Sequence, residues 1–292
     1  MLALLVMLVP AAVPLTDSVL RPITLFALPK NQTQSFGAPS IVACIVEPRP
    51  GQMPLVDYVI DNVASFLGPS VKIQFYHGAS THPCNARPVG RTCHLFKEGQ
   101  VELHNLHVDN FDVAGYSRLL SRVDFWEDKA GYKKTLIFQT DSVICKATDE
   151  RIENFMGLDF VGSHGDDAFL GIHNGGNGGF SLRDTQLSLE CSSELGNGLA
   201  EDAYFIKCMQ ARGARMATTE EQDRFGSQNY FAAKSLGAHQ INKQLFRRSP
   251  TLVGSFQEYC PEYLGMMSLR ERLPRLPALS STEHLSAATP AY

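Results

Sequence analysis

The sequence predicts an α/β fold in which a mostly parallel central sheet carries the chain. Residues 41–46, Ile-Val-Ala-Cys-Ile-Val, are uninterruptedly apolar, the pattern of a strand covered on both faces. A helical repeat from Pro54 and an alternating run at residues 71–76 follow at once. Strand, helix and strand in that order are the start of a parallel crossover. Strand-like runs recur at residues 135–138 and 159–162.

Taken in order, residues 1–16 are apolar, lack a basic flank and are shorter than the ~20 residues of a spanning helix. They read as a signal or signal-anchor segment, with a buried N-terminal segment as the alternative. Residues 17–40 read as a stem or linker, and Asn31-Gln32-Thr33 within them is a glycosylation sequon. Entry to the secretory pathway, in the lumen of the Golgi or endoplasmic reticulum with possible membrane anchoring, is the resulting expectation; a cytoplasmic location is the alternative. The ordered domain is expected over residues 41–265. Its first helix sets Leu55, Val59, Val63 and Phe66 on one face and stops at Gly68. Residues 79–99 read as an irregular loop, 101–103 as a short strand, and 114–125 as a helix packed down by Trp126. Residues 152–156 read as helical, regularity weakens beyond Gly213, and the Pro-, Ser- and Thr-rich residues 266–292 are expected to be disordered.

At 292 residues and 44% hydrophobic, the chain suffices for one large or two small domains. Its 26 basic and 30 acidic residues give a formal charge of −4, so no net positive field favours nucleic acid as a partner. The seven cysteines contain no C-x-x-C pair, which argues against a zinc ribbon or a thioredoxin-type site. Cys84 and Cys93 flank a loop and would bridge in an oxidising compartment. Cys44 and Cys145 sit in apolar runs as small buried residues, and an odd count leaves a thiol free.

Three polar clusters stand at expected strand ends, where open α/β sheets bind ligands. The first is Glu47-Pro48-Arg49, whose guanidinium offers a planar fork to phosphate or to a base. Gln139-Thr140-Asp141 is the second, placing a carboxylate where burial is costly without a partner such as a metal ion. The third is the stretch from His173 to Arg183, with four glycines at Gly175, Gly176, Gly178 and Gly179. It reads as a bend that lets a ligand approach the main chain, with Asp184 capping a following helix. Glu201-Asp202 opens another helix about twenty residues on. His239 is a candidate ligand for an ion of the Mn²⁺ type, and Lys243 a point charge for phosphate. His164-Gly165-Asp166-Asp167 is a weaker metal candidate of hydrolase type. No G-x-x-x-x-G-K-[ST] occurs, which excludes a Walker loop.

From Ile41 to Lys243, about two thirds of its length, the chain resembles an incompletely characterised family of glycosyltransferase type A-like domains. The likeness rests on Ile45-Val46-Glu47-Pro48-Arg49, Val108-Asp109-Asn110, Tyr116-Ser117-Arg118-Leu119-Leu120, Phe125-Trp126-Glu127 and the run from Leu136 to Ser142. It continues through Asp159-Phe160-Val161-Gly162, Gly176 to Arg183, Glu201-Asp202-Ala203-Tyr204-Phe205 and Gly237-Ala238-His239. Their order and spacing are specific together, although no single one is. More distantly, the Gly-Gly stretch and later Glu-Asp pair resemble inverting galactosyl- and N-acetylglucosaminyltransferases.

The resemblance implies one nucleotide-diphospho-sugar transferase domain that moves a sugar from a nucleotide sugar, preferably a UDP-sugar, to a glycan or other hydroxyl acceptor. Asp202 would be the general base and Glu201 would orient acceptor or base. Asp141 and His239 would hold Mn²⁺. Glu47, Arg49, Gln139 and Thr140 would meet the donor, while Gly178 and Gly179 would admit its sugar. One carboxylate of the family's Asp-x-Asp motif is replaced by Gln139, so Lys243 or Arg183 is expected to substitute as a cation. The alternatives are a non-catalytic sugar- or nucleotide-binding domain of the same fold, or a metal-dependent hydrolase at His164 and Asp166.

Overall fold

The computed structural model describes residues 41–165, 174–192, 200–241 and 250–273. All belong to the second of two units, Pro39–Tyr292. The expected leader and stem, the sequon, Asp166, Asp167, His173 and Lys243 lie outside the described residues.

In chain order the elements are β1 (Ile41–Glu47), α1 (Met53–Leu67), β2 (Lys72–His77), α2 (Pro83–Ala86), α3 (Arg91–Lys97) and β3 (Val101–Asn105). They continue with α4 (Val113–Leu120), α5 (Val123–Glu127), β4 (Lys134–Phe138), β5 (Ser142–Ile144), β6 (Phe160–Ser163) and β7 (Asn177–Asp184). Then follow α6 (Thr185–Ser192), α7 (Glu201–Ala211), α8 (Thr219–Phe225), β8 (Gly226–Ser227), β9 (Gly237–His239), α9 (Pro250–Tyr259) and α10 (Pro261–Arg272).

Six strands form the central sheet in the order β3-β2-β1-β4-β7-β6. β1 pairs parallel with β2 and β4, β2 pairs parallel with β3, and β7 runs antiparallel to both neighbours. The chain is therefore α/β with a mostly parallel six-stranded sheet, compatible with a Rossmann-like arrangement. β5, β9 and β8 make a smaller sheet beside it.

Alternation along β1 divides the core into two layers. Ile41, Ala43 and Ile45 join a cluster with α1 residues such as Val56 and Ile60 and with Tyr263 and Met266 of α10. Cys44 and Val46 face the other way, onto Trp126, Phe205 and Met209. Trp126 is fully buried and its indole N–H donates to the Leu120 carbonyl at 2.7 Å, which fastens α5 against α4. Gly68, at φ 82°, ends α1 as expected.

Several expectations change. The loop at residues 79–99 contains α2 and α3, with Cys84 and Cys93 bridged across them. The helix expected at 114–125 breaks into α4 and α5 around Ser121 and Arg122. Half of the glycine stretch is the expected bend and half is strand: Gly175 and Gly176 turn at φ 112° and 93°, whereas Gly178 and Gly179 belong to β7, which pairs with β4 and β6. Asp184 does cap α6, its Oδ1 accepting from the Leu187 N–H at 3.0 Å. Cys44 and Cys145 are both buried as expected; Cys145 is in addition bonded to Cys260, whereas Cys44 is free. Order also continues past residue 265, because α10 runs to Arg272 with Met266 buried.

Candidate functional site

A cleft of about 400 Å³ opens at the carboxyl ends of β1 and β4. β7 is antiparallel, so its amino-terminal glycines arrive at this same edge, facing the first turn of α7. The small sheet delivers His239 from β9, because β5 follows directly after the turn that ends β4. Nine of the residues singled out from the sequence line the cleft: Glu47 and Arg49, Gln139, Thr140 and Asp141, Gly179, Glu201 and Asp202, and His239.

At the β1 end, Arg49 closes its fork on Glu47, with Nε and NH2 at 2.8 and 2.5 Å from the two carboxylate oxygens. The Arg49 backbone N–H adds a third bond at 3.0 Å. The hydrogen-bonded carboxylate, more than anything else, raises the Arg49 pKa above its ordinary value. Thr140 Oγ1 reaches Glu47 at 3.4 Å and so links the first two strand ends. The Glu47 carboxylate is therefore engaged by protein groups, and the ligand-facing group here is the outer side of Arg49.

The acid pair at the start of α7 has two different environments. Glu201 is 6% exposed and accepts Arg183 NH1 and NH2 at 2.7 and 3.1 Å. Burial pushes the Glu201 carboxyl up, and Arg183 pulls against that shift. Arg183 is fully buried between the Phe160 and Phe205 rings, so it meets no donor phosphate and cannot be the substitute cation. Asp202 is half-buried on the cleft side. Its Oδ2 accepts the Gly178 N–H at 3.2 Å and the Asn177 amide at 3.3 Å, and Oδ1 accepts the Ala203 N–H at 2.8 Å. The α7 amino terminus favours negative charge at both positions.

The glycines serve this packing. A Cβ on Gly178 would lie 2.6 Å from both Arg183 NH2 and Glu201 Oε1 and 2.7 Å from the Asp202 Cβ. On Gly179 it would lie 2.3 Å from His239 Nε2 and 2.8 Å from Gln139 Oε1. Gly178 does not line the cleft, and its missing side chain makes room for the acid pair, not for a sugar.

The Gln139–Asp141 turn and His239 meet in the cleft. His239 is buried, with Nδ1 2.9 Å from Gln228 Oε1 and Nε2 3.2 Å from Gln139 Oε1 and 3.3 Å from Asp141 Oδ1. With the Nδ1 proton on Gln228, the Nε2 lone pair turns toward two oxygens, a geometry that suits a cation. No group of three His, Cys, Asp or Glu side chains able to hold a metal occurs among the described residues; beside Asp141 and His239 stands the Gln139 amide.

Two contributors have no role assigned from the sequence: Tyr116 occurs there only within a run that carries the resemblance, and Arg270 not at all. Tyr116 lines the cleft with its hydroxyl buried beside Gln139 and without a bond of good geometry; burial raises the phenol's pKa. Arg270 of α10 reaches the cleft and places NH1 3.3 Å from Asp141 Oδ2. His164 lies outside the cleft lining, paired with Asp223 at 2.5 Å and stacked on Tyr230 at 4.1 Å.

Comparison with known families gives one match. The chain is similar over residues 100–240 to a family described as "Protein of unknown function (DUF5672)". That span begins just before β3 and ends just after β9, so it holds the Gln139–Asp141 turn, the glycines, the acid pair and His239. Glu47, Arg49 and Arg270 lie beyond it. No curated protein matches the chain.

Proposed function

We propose that this cleft transfers a sugar from a nucleotide-sugar donor to an acceptor hydroxyl, with inversion at the transferred carbon. The observation that carries the reading is convergence: five separate segments bring Arg49, Asp141, Gly179, Asp202 and His239 to one cleft at the strand ends. Open α/β sheets bind their ligands at that edge, and the resemblance to glycosyltransferase type A-like domains assigns chemistry to the same positions.

Asp202 is the general base. It takes the acceptor hydroxyl's proton while that oxygen bonds to the sugar carbon, and the bond from this carbon to the diphosphate breaks. Three N–H donors fix the orientation of its carboxylate. Glu201 is a positioning residue, since Arg183 holds it in place below Asp202. Asp141 and His239, with the Gln139 oxygen, would hold a Mn²⁺-like ion. When bound, such an ion supplies charge neutralisation for the leaving diphosphate. The bridges Cys84–Cys93, Cys145–Cys260 and Cys191–Cys208 support an oxidising, lumenal setting. No helix among the described residues is long and apolar enough to cross a membrane.

The test is a panel of nucleotide sugars offered with Mn²⁺, reading slow donor hydrolysis and transfer. Asp202→Asn is expected to lower turnover by about 10²–10⁴-fold while donor affinity stays unchanged. Unchanged turnover in that variant removes Asp202 from the chemistry. Donor binding with no turnover in the parent protein identifies a binding domain in place of an enzyme.

A further inference from the structure

Resting on the nucleotide-sugar reading, we infer that Arg270 is a diphosphate-binding residue of this cleft. It sits on α10, outside the matched span, at a position beyond the expected end of the domain at residue 265. The cations assigned to phosphate from the sequence are differently placed. Arg183 is enclosed with Glu201, Lys243 lies outside the described residues, and Arg49 has two guanidinium nitrogens on Glu47.

Arg270 differs in geometry. Its side chain is 40% exposed, it lines the cleft, and its one side-chain contact within hydrogen-bond range among the described residues is NH1 to Asp141 at 3.3 Å. A guanidinium has five N–H donors in a planar fork that matches phosphate oxygens, so most of its capacity remains for a ligand. The helix that carries it is anchored. Cys260, its N-cap, is bonded to Cys145 at the end of β5. Tyr58 of α1 donates to the Glu262 carbonyl at 2.8 Å, and its hydroxyl sits where a Cβ on Gly265 would be. Tyr263 and Met266 are buried in the core. Arg270 is thus presented on a fixed support directly across Asp141 from His239.

That position sets a competition. Asp141 holds Arg270 when no phosphate is present, and an incoming diphosphate offers the fork a doubly charged alternative. Arg270 therefore contributes to diphosphate affinity without any metal, and Asp141 opposes that contribution.

The sign of the Asp141 effect makes this testable by calorimetry on the full chain, with inorganic pyrophosphate and UDP as probes, in chelator and in Mn²⁺. In chelator the parent protein is expected to bind pyrophosphate. Arg270→Gln should weaken that binding by about tenfold, and Arg270→Lys should restore part of it, because lysine keeps charge but not the fork. Asp141→Asn should tighten binding in chelator. Thermal melts check that each variant is folded. Equal affinity of Arg270→Gln and parent, or weaker binding by Asp141→Asn in chelator, overturns the inference. Binding that requires Mn²⁺ also overturns it, yet leaves the nucleotide-sugar reading standing. If neither probe binds in either buffer, both fall together.

Discussion

Arg183 backs the acid-pair flank of the cleft from within the core, and Arg270 lines the flank at Asp141; each faces a carboxylate, and they are built for opposite ends. Arg183 is fully buried and spends its guanidinium on four contacts, to Ser181 Oγ, to both Glu201 oxygens and to the Gly178 carbonyl, at 2.7 to 3.2 Å. Arg270 is partly exposed and its side chain makes one contact among the described residues, at 3.3 Å. A dry guanidinium with four of its five N–H donors engaged is framework, because moving it would strand a buried charge. A solvent-facing guanidinium with a long single contact is available to exchange partners. The flank that positions Asp202 is therefore rigid, and the flank assigned to the diphosphate is adaptable.

The largest effect should come from breaking the rigid flank. Arg183→Met leaves Glu201 buried without its partner, which is expected to cost about 3–5 kcal/mol of stability. Urea unfolding followed by circular dichroism measures it. Arg183→Met with Glu201→Leu should recover most of that loss, since apolar packing can replace a buried pair. A single-variant loss below about 1 kcal/mol, the range of surface pairs, would place Arg183 in the same class as Arg270 and erase the contrast.

An intermediate effect is expected between the flanks. Gly179→Ala puts a methyl against His239 Nε2 and Gln139 Oε1, so overpacking should cost about 1–3 kcal/mol. Because His239 and Gln139 face Asp141, the same variant should weaken Mn²⁺-dependent nucleotide binding more than it weakens pyrophosphate binding in chelator. Equal loss in both would mean that Arg270 and the His239 cluster move as one unit, and the division into a rigid and an adaptable flank would need redrawing.

The adaptable flank was also the harder one to read from sequence. β1, α1 and β2 were legible because their apolar periodicity is clean, and the strand-end residues followed from them. The glycines read as a bend, which Gly175 and Gly176 form, but glycine carries no strand preference, so nothing local shows that Gly178 and Gly179 enter a strand; pairing of β7 with β4 and β6 decides that. The glycines mark close approach as expected, but the approaching groups are Arg183, Glu201, Asp202 and His239. Arg183 followed a strand-like run, and nothing local showed that its partner would be Glu201. α10 presents few apolar positions to the core, Tyr263 and Met266 being its buried ones. The bridge that fixes it joins cysteines 115 residues apart, a relation that no local spacing encodes.

The smallest effect concerns a third edge of the sheet and separates framework electrostatics from the cleft. His77, at the end of β2, and His104, on β3, have their pKa values lowered first by burial; the Gly78 carbonyl opposes this for His77 and Asp128 for His104. A depressed folded-state pKa means that the folded protein resists protonation while the unfolded chain accepts it. The stability so contributed is present above the unfolded value of 6.5 and is lost as pH falls below it toward the folded pKa. Exposed carboxylates protonate mainly near pH 4, so the interval from pH 7 to 5 isolates the histidines. The parent protein should lose stability across that interval, and His77→Gln with His104→Gln should flatten the slope. A slope that survives in the double variant would move the acid sensitivity to another buried group. It would then no longer be independent of the two arginine flanks, and Arg183→Met measured at pH 5 would show whether the Glu201 pair carries it.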